Sequence, residues 1–396
     1  MTTRKSSIEK LGRKGSLAPK AAPGASKGQG RVRYAVVGLG YIAQTAILPS
    51  FQHAKTNSEL VALVSDDPKK RDQLSRRYKV AKTYDYEQYD ECLASGEVDA
   101  VLIALPNSMH REYAVRAAIA GVHILCEKPL AVTEDECEAI ILAAAENNVK
   151  LMTAYRLHFE AANLRAIEIV RGGKLGEPRI FDSVFTMQVN DPDNIRLQSR
   201  MGGGVLHDIG IYCINAARYL FQSEPIEVFA CRANNGDPRF TEVDEMVSAC
   251  LRFPEERLAS FTASFGAADV SMYRVVGTKG SLLVDRAYEY AEGSTHHLTI
   301  GSGAPQTRKF PKRDQFGAEV VYFSDCIQKD KRPEPSGSEG IADVRIIEAL
   351  NDSIETGASK AIDLIPRRNR PSVEQEIQRP AIKKPRLIHA NSPSKS

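Results

Sequence analysis

Between residues 33 and 155, apolar runs of five to seven residues alternate with stretches of ten to sixteen that carry an apolar face. The short runs read as strands and the longer stretches as helices. RYAVV (33–37) is followed by a helical stretch over about 42–54, with Pro49 as a kink or break. ELVALVS (59–65) precedes a helix over 68–78, and DAVLIAL (99–105) precedes a helix that Gly121 stops. VHILCE, a helix opened by Thr133 and Glu136 at capping-box spacing, and VKLMTAY complete the series. A chain patterned this way is confined to right-handed βαβ units around a parallel sheet.

The first turn of that series is GLGYIA, a G-x-G-x-x-A with Gly38, Gly40 and Ala43 between a strand and a helix. Gly38 allows the tight turn, Gly40 leaves room for a pyrophosphate against the backbone, and Ala43 lets the helix pack closely. The helix N-terminus then faces the phosphates. The alternative is a tight βα turn with no ligand. After the second strand come Ser65, Asp66 and Asp67, then Lys69, Lys70 and Arg71. A small hydroxyl beside a basic cluster suits the 2′-phosphate of NADP. Asp66 holding a ribose 2′-hydroxyl would make the cofactor NAD. NADP is the expectation, with NAD kept open.

Beyond residue 155 the pattern changes. FEAANLRAIEIVRGG and IGIYCINAARYLF read as helices. RIFDSVFTMQV, IEVFACR, EMVSACLRF, RLASFTASF, MYRVVG and SLLVD read as strands without helices between them, which points to a mostly antiparallel sheet. Helices follow at about 316–329 and 341–356. The expected class is α/β: an N-terminal Rossmann sheet, doubly wound, then an α+β domain with a large, open-faced sheet. The expected divisions are a disordered basic arm at 1–30, a dinucleotide-binding domain at 31–154, a substrate and oligomerisation domain at 155–365, and an extended Pro- and Arg/Lys-rich tail at 366–396. That tail would be free or strapped along a neighbour.

A net charge of +3 and tails without interleaved aromatics argue against nucleic acid. No apolar run reaches membrane-spanning length. The N-terminus lacks the apolar segment of an export signal. Seven dispersed cysteines fit reduced thiols in a cytoplasmic setting, and their spacing suits no metal.

The segment HILCEKPLAVT (123–133) ends a buried strand in Glu127, Lys128 and Pro129. Lys128 would stand at the C-terminal end of a parallel strand, where open α/β sheets bind ligands. Further on, Asp208 and Tyr212 lie four apart in LHDIGIYCINAARYL, on one helix face. An ammonium favours the phenolate of a neighbouring tyrosine. Tyr212 is therefore a candidate proton donor and acceptor, Lys128 its tuning partner, and Asp208 an orienting group. The proton role could belong to Lys128 itself. Tyr212 could also be a core aromatic, and Asp208 a helix N-terminal charge.

These segments together resemble the glucose–fructose oxidoreductase, inositol dehydrogenase and rhizopine-catabolism (Gfo/Idh/MocA) family over about residues 32–365. The resemblance rests on AVVGLGYIAQTAILPSF, on ALPNSMHREYAVRAAIAGVHILCEKPLAVT, on YRLHFEAAN, on DPDNIRLQSRMGGGVLHDIGIYCINAARYLF and on VVGTKGSLLVD. NDPDNIRLQSRMGGG, a tyrosine four after Asp208, and Ser65 followed by Lys70 look like the glucose–fructose oxidoreductase branch. The resemblance implies cofactor contacts from Gly38, Leu39, Gly40, Tyr41 and Ile42, from Ser65 and Lys70, and from Leu105, Pro106, Asn107 and His110. It also implies cofactor contacts from Glu127, Lys128 and Arg156, and a cis Lys128–Pro129 bond that turns Lys128 into the cleft. Tyr155, Arg156 and His158 would face that cleft. Tyr155, Arg196 and Tyr212 would meet the substrate, although Arg196 and Arg200 also read as solvated loop residues. The role of His207 stays open.

The implied activity is NADP-dependent hydride transfer to or from a sugar or polyol carbon, in a homodimer or homotetramer built on the second sheet. The best-known members of the branch are exported and shuttle hydride between two sugars on a tightly held NADP. Without an export signal here, the expectation is an ordinary dehydrogenase or reductase with exchangeable cofactor. A non-catalytic NADP-binding sensor or scaffold is the alternative.

Overall fold

The computed structural model describes residues 30–363 and 370–394, so residues 1–29 of the expected arm and the start of the expected tail lie outside the described residues. Six parallel strands form the first sheet: β1 (Val32–Val37), β2 (Ser58–Val64), β3 (Lys82–Tyr84), β4 (Ala100–Ile103), β5 (His123–Glu127) and β6 (Leu151–Ala154). Their order is β3-β2-β1-β4-β5-β6, the doubly wound arrangement, with its switch point between β1 and β4. Tyr34, Val36, Ala100 and Leu102 pack into the core on one face of this sheet. Ala35, Val37, Val101 and Ile103 pack into the core on the other. Alternate residues of each strand therefore serve opposite cores, which is why these strands read as continuous apolar runs.

The helix after the glycine turn is wound as a π-helix over Ala43–Ile47, and Pro49 sits in the short α-helical turn that follows. Helix Pro68–Tyr78 is capped by Asp67, which accepts from the amides of Lys69 and Lys70. Helix Glu134–Glu146 carries the capping box of Thr133 and Glu136 that its sequence predicts. The short strand β3 and helix Tyr89–Ala94 are absent from the sequence reading.

The second sheet has nine strands. In spatial order they are Gln306–Phe310, Ser294–Ile300, Gly280–Asp285, Val270–Gly277, Pro178–Thr186, Arg257–Ser264, Met246–Phe253, Glu227–Ala233 and Lys360–Ala361. All pairings are antiparallel except Pro178–Thr186 with Arg257–Ser264. Helices Ala161–Arg171, Ile211–Phe221 and Gly337–Thr356 contribute to the core on its inner face. Helix Gly337–Thr356 joins the two halves: Ile341 and Val344 enter a core of the first sheet, while Ile346, Ile347 and Leu350 enter that of the second.

Over its described part the tail packs against its own chain. Arg370 pairs with Glu224 at 2.9 Å, the Ile377 amide donates to Phe159 O, and Ile388 is buried against the first sheet. No helix among the described residues is long and apolar enough to cross a membrane.

Candidate active site

A cleft of about 770 Å³ runs along the C-terminal ends of β1, β2, β4 and β5 to the start of helix Ile211–Phe221. The glycine turn forms one end. Gly38 has φ +92°, and a Cβ there would lie 2.5 Å from Ala104 O, so only glycine fits between β1 and β4. A Cβ on Gly40 would meet nothing within 4 Å. That open space beside a helix N-terminus is the cradle a pyrophosphate requires. Leu39, Tyr41 and Ile42 line the cleft on either side, and Ser65 and Lys70 line it beyond β2. Asp66 does so as well. The fit to a dinucleotide is therefore good at the turn, in cleft size and in the hydroxyl–lysine pair.

On the opposite wall, Leu105, Pro106 and Asn107 follow β4. Asn107 Nδ2 donates to Gly202 O at 2.7 Å, so this loop is tied to the GGG segment. Gly202 has φ +72°, and a Cβ there would lie 2.6 Å from Val132. The approach of the two halves is too close for any side chain at this position.

Lys128 follows β5, and its bond to Pro129 is cis. Its Nζ donates to Asp208 O at 2.8 Å and lies 3.3 Å from Asp208 Oδ1. Asp208 Oδ2 accepts from Arg196 Nε at 2.5 Å. The aspartate is thus clamped between two cations. Burial would raise its pKa, but Arg196 and Lys128 outweigh burial and lower it to about 2. Burial likewise opposes the charge on Lys128, yet Tyr212, Asp208 and Glu127 hold its ammonium above the usual lysine range. Lys128 is therefore a charged donor rather than a free amine.

Tyr212 is half-buried in the same cleft. Lys128 Nζ lies 4.9 Å from its ring centroid and the Arg156 guanidinium 5.0 Å. Two cations against one ring is an arrangement in which the quadrupole and the phenol oxygen both attract positive charge. Arg156 is fixed by donating to Tyr288 O at 2.5 Å and to Gln315. Glu127 lines the cleft beneath, with a carboxyl raised by burial and lowered in part by Lys128 and Arg156. Behind it lies Glu319, whose carboxyl burial and Glu127 push well above the usual range. A neighbouring acid of this kind has no mark in the sequence, since Glu319 sits in an ordinary apolar helix.

Several expectations need correction. His110 does not line the cleft: it is fully buried, with Nδ1 2.9 Å from Pro129 O and Nε2 3.0 Å from Leu105 O. It braces the two loops that carry cofactor-side residues. Tyr155 also points away, donating from its hydroxyl to Asp343 at 2.5 Å. His158 is turned into the same interior, where Nε2 lies 3.0 Å from Asn215 Oδ1. Three residues expected to share a direction sit on one tight 3₁₀ turn, and only Arg156 of the three reaches the cleft. Arg196 lines the cleft, but its Nε is engaged by Asp208. His207 lies 3.3 Å from Val132 O and bridges to the segment after Lys128. Missed by sequence reasoning were Asp269, Glu289 and the tail residues His389–Ser394, all of which line the cleft.

The sequence matches the model described as "Oxidoreductase family, NAD-binding Rossmann fold" over residues 32–155. It matches that of the "GFO/IDH/MocA C-terminal domain" over residues 163–283. A D-xylose 1-dehydrogenase [NADP(+)] from Haloarcula marismortui is 31% identical over 84% of this chain and 93% of its own. The chain belongs to the Gfo/Idh/MocA oxidoreductase family. An uncharacterized oxidoreductase from Rhizobium meliloti is 32% identical over 82% of this chain and 98% of that protein. Among solved structures, an aldose-aldose oxidoreductase from Caulobacter crescentus, complexed with glycerol, superposes with a TM-score of 0.80 at 37% identity. It covers 84% of this chain and 100% of its own. Gfo/Idh/MocA membership agrees with the doubly wound sheet and with the open second sheet beside it.

Proposed function

We propose that this protein is an NADP-dependent oxidoreductase that transfers a hydride at a carbinol or carbonyl carbon of a sugar or polyol, with Lys128 and Tyr212 handling the proton. The NADP-dependent and sugar-directed activities named among its relatives support this reading. The observation that carries the site assignment is the Lys128–Asp208 contact, 2.8 Å to the carbonyl oxygen, beside Tyr212 in the same cleft as the glycine turn. Gly38 to Ile42, Ser65 and Lys70 would hold the pyrophosphate and the 2′-phosphate, and Pro106, Asn107 and Arg156 the nicotinamide half. When bound, NADP supplies the hydride acceptor or donor.

The residues divide the remaining work. Asp208, ionised and clamped by Arg196, holds the Lys128 ammonium at one place. Lys128 donates a hydrogen bond to the reacting oxygen and stabilises negative charge on it. Tyr212 takes the proton from a carbinol or returns it to a carbonyl. The Lys128 ammonium and the Arg156 guanidinium stand 4.9 Å and 5.0 Å from its ring centroid. The exposed face of the second sheet is proposed to pair protomers.

The test is turnover of purified protein with NADP on aldoses and polyols, beside Lys128→Ala and Tyr212→Phe. Each substitution is expected to lower kcat by about 10²–10⁴-fold, the usual worth of a positioned acid or base. Unchanged turnover in both variants would sink the assignment, and NADP binding without turnover of any substrate would favour a sensor. A second reading, in which a second sugar serves as the acceptor, is favoured by the likeness to the aldose-aldose oxidoreductase. Conversion of a sugar pair without added cofactor would support it.

A further inference from the structure

The tail reaches the cleft from behind and crosses it. Ile388 is buried at 5% exposure against the core that holds Leu39 and Ala43. Its backbone is read twice by one side chain: Gln44 Nε2 donates to Ile388 O at 2.8 Å, and Ile388 N donates to Gln44 Oε1 at 2.8 Å. The same Nε2 donates to Leu39 O at 2.9 Å, inside the glycine turn. One residue later, His389 Nδ1 lies 2.8 Å from Oδ2 of Asp67, the cap of the helix that carries Lys70. The segment then leaves the first half of the molecule. Asn190, just beyond strand Pro178–Thr186, donates from its amide to Pro393 O at 3.0 Å and from its side chain to Ser394 O at 3.0 Å. Residues 389–394 between these anchors all line the cleft.

We propose that residues 388–394 are a clasp that retains the dinucleotide. This rests on NADP occupying the cleft as argued above. The clasp is pinned beside the glycine turn and beside the Ser65–Lys70 corner, and it is tied at its far end to the second half. A dinucleotide held by Gly40, Ser65 and Lys70 shares its cleft with this segment, so its release requires the far anchor or the Ile388 anchor to open. The relatives match over 93–100% of their own lengths yet cover only 82–84% of this chain, so this chain carries length that they lack.

The test is the NADPH dissociation rate of the full chain, read from nicotinamide fluorescence after a chase with excess NADP. Ile388→Asp removes the buried anchor and is expected to speed dissociation at least tenfold, while Ile388→Val stays near the parent rate. His389→Ala, a half-exposed position that cannot unfold the core, is expected to speed it a few-fold. NADPH is also expected to slow amide hydrogen exchange at 388–394 in the unmodified chain, which decides the matter if Ile388→Asp fails to fold. Equal rates in all variants, or no change in exchange on adding NADPH, would overturn the clasp while leaving the proposed function intact. Slower dissociation or tighter binding in Ile388→Asp would make the segment a plug and overturn it too. Absence of any NADPH binding by the full chain would overturn the parent reading and the clasp together.

Discussion

Asp208 shows how much of a site one residue can hold. Its two oxygens and its carbonyl fix both Lys128 and Arg196. Its folded pKa, about 2, lies below the ordinary carboxylate value, so its contribution to stability is present above that ordinary value and is lost as pH falls through about 2. The stability gap between the parent protein and Asp208→Asn, measured by urea unfolding, is therefore expected to narrow by about 1 kcal/mol between about pH 5 and about pH 3. A gap that stays constant would mean that the aspartate is not held ionised by its cations. At this scale the meeting of Lys128, Asp208 and Tyr212 in one cleft was legible from a strand end and a four-residue spacing. Tyr155, His158 and His110 were misread because their directions depend on a 3₁₀ turn and on loop carbonyls, neither of which leaves a period in the sequence.

Among elements, helices Ile211–Phe221 and Gly337–Thr356 are locked by a buried charge network. Arg218, with no exposed surface, meets Glu224 at 2.5 Å, Glu339 at 2.9 Å and Asp343 at 2.5 Å. Tyr155 and Asn215 also bond Asp343. The helix that carries Tyr212, directly after the π-helical turn Leu206–Gly210 that carries Asp208, is thereby seated against the helix that bridges both cores. Arg218→Met would remove the guanidinium that three buried carboxylates share, at a cost of roughly 3–5 kcal/mol. Chemical denaturation should show that loss, and a change below about 1 kcal/mol would contradict the network's role. Strand Gln306–Phe310 is absent from the sequence reading for a physical reason. Gln306–Phe310 is exposed at four of its five residues, so it has no apolar face to alternate. Only pairing with Ser294–Ile300 makes it a strand.

At the scale of the whole molecule, apolar side chains of the second sheet are exposed among the described residues. Ile180, Phe229, Leu258 and Val270 are each more than two-fifths exposed, and Leu258 is the cross-strand partner of Ile180. Exposed apolar residues of this size on one sheet, two of them directly paired, suit an interface. Light scattering is therefore expected to find an oligomer, and Leu258→Glu is expected to shift it towards monomer without loss of fold. A monomeric parent protein would remove the proposal. The sequence by itself determined the parallel sheet, the glycine turn and the strand end that carries Lys128, because βαβ units and tight turns are written in local period and in glycine. Tertiary structure alone decided that Arg156 rather than Tyr155 faces the cleft, that Glu319 stands behind Glu127, and that a Pro- and Lys-rich tail returns to cross the site. Those outcomes depend on contacts between segments up to 344 positions apart, such as Gln44 with Ile388, and no local pattern encodes which distant backbone a side chain will meet.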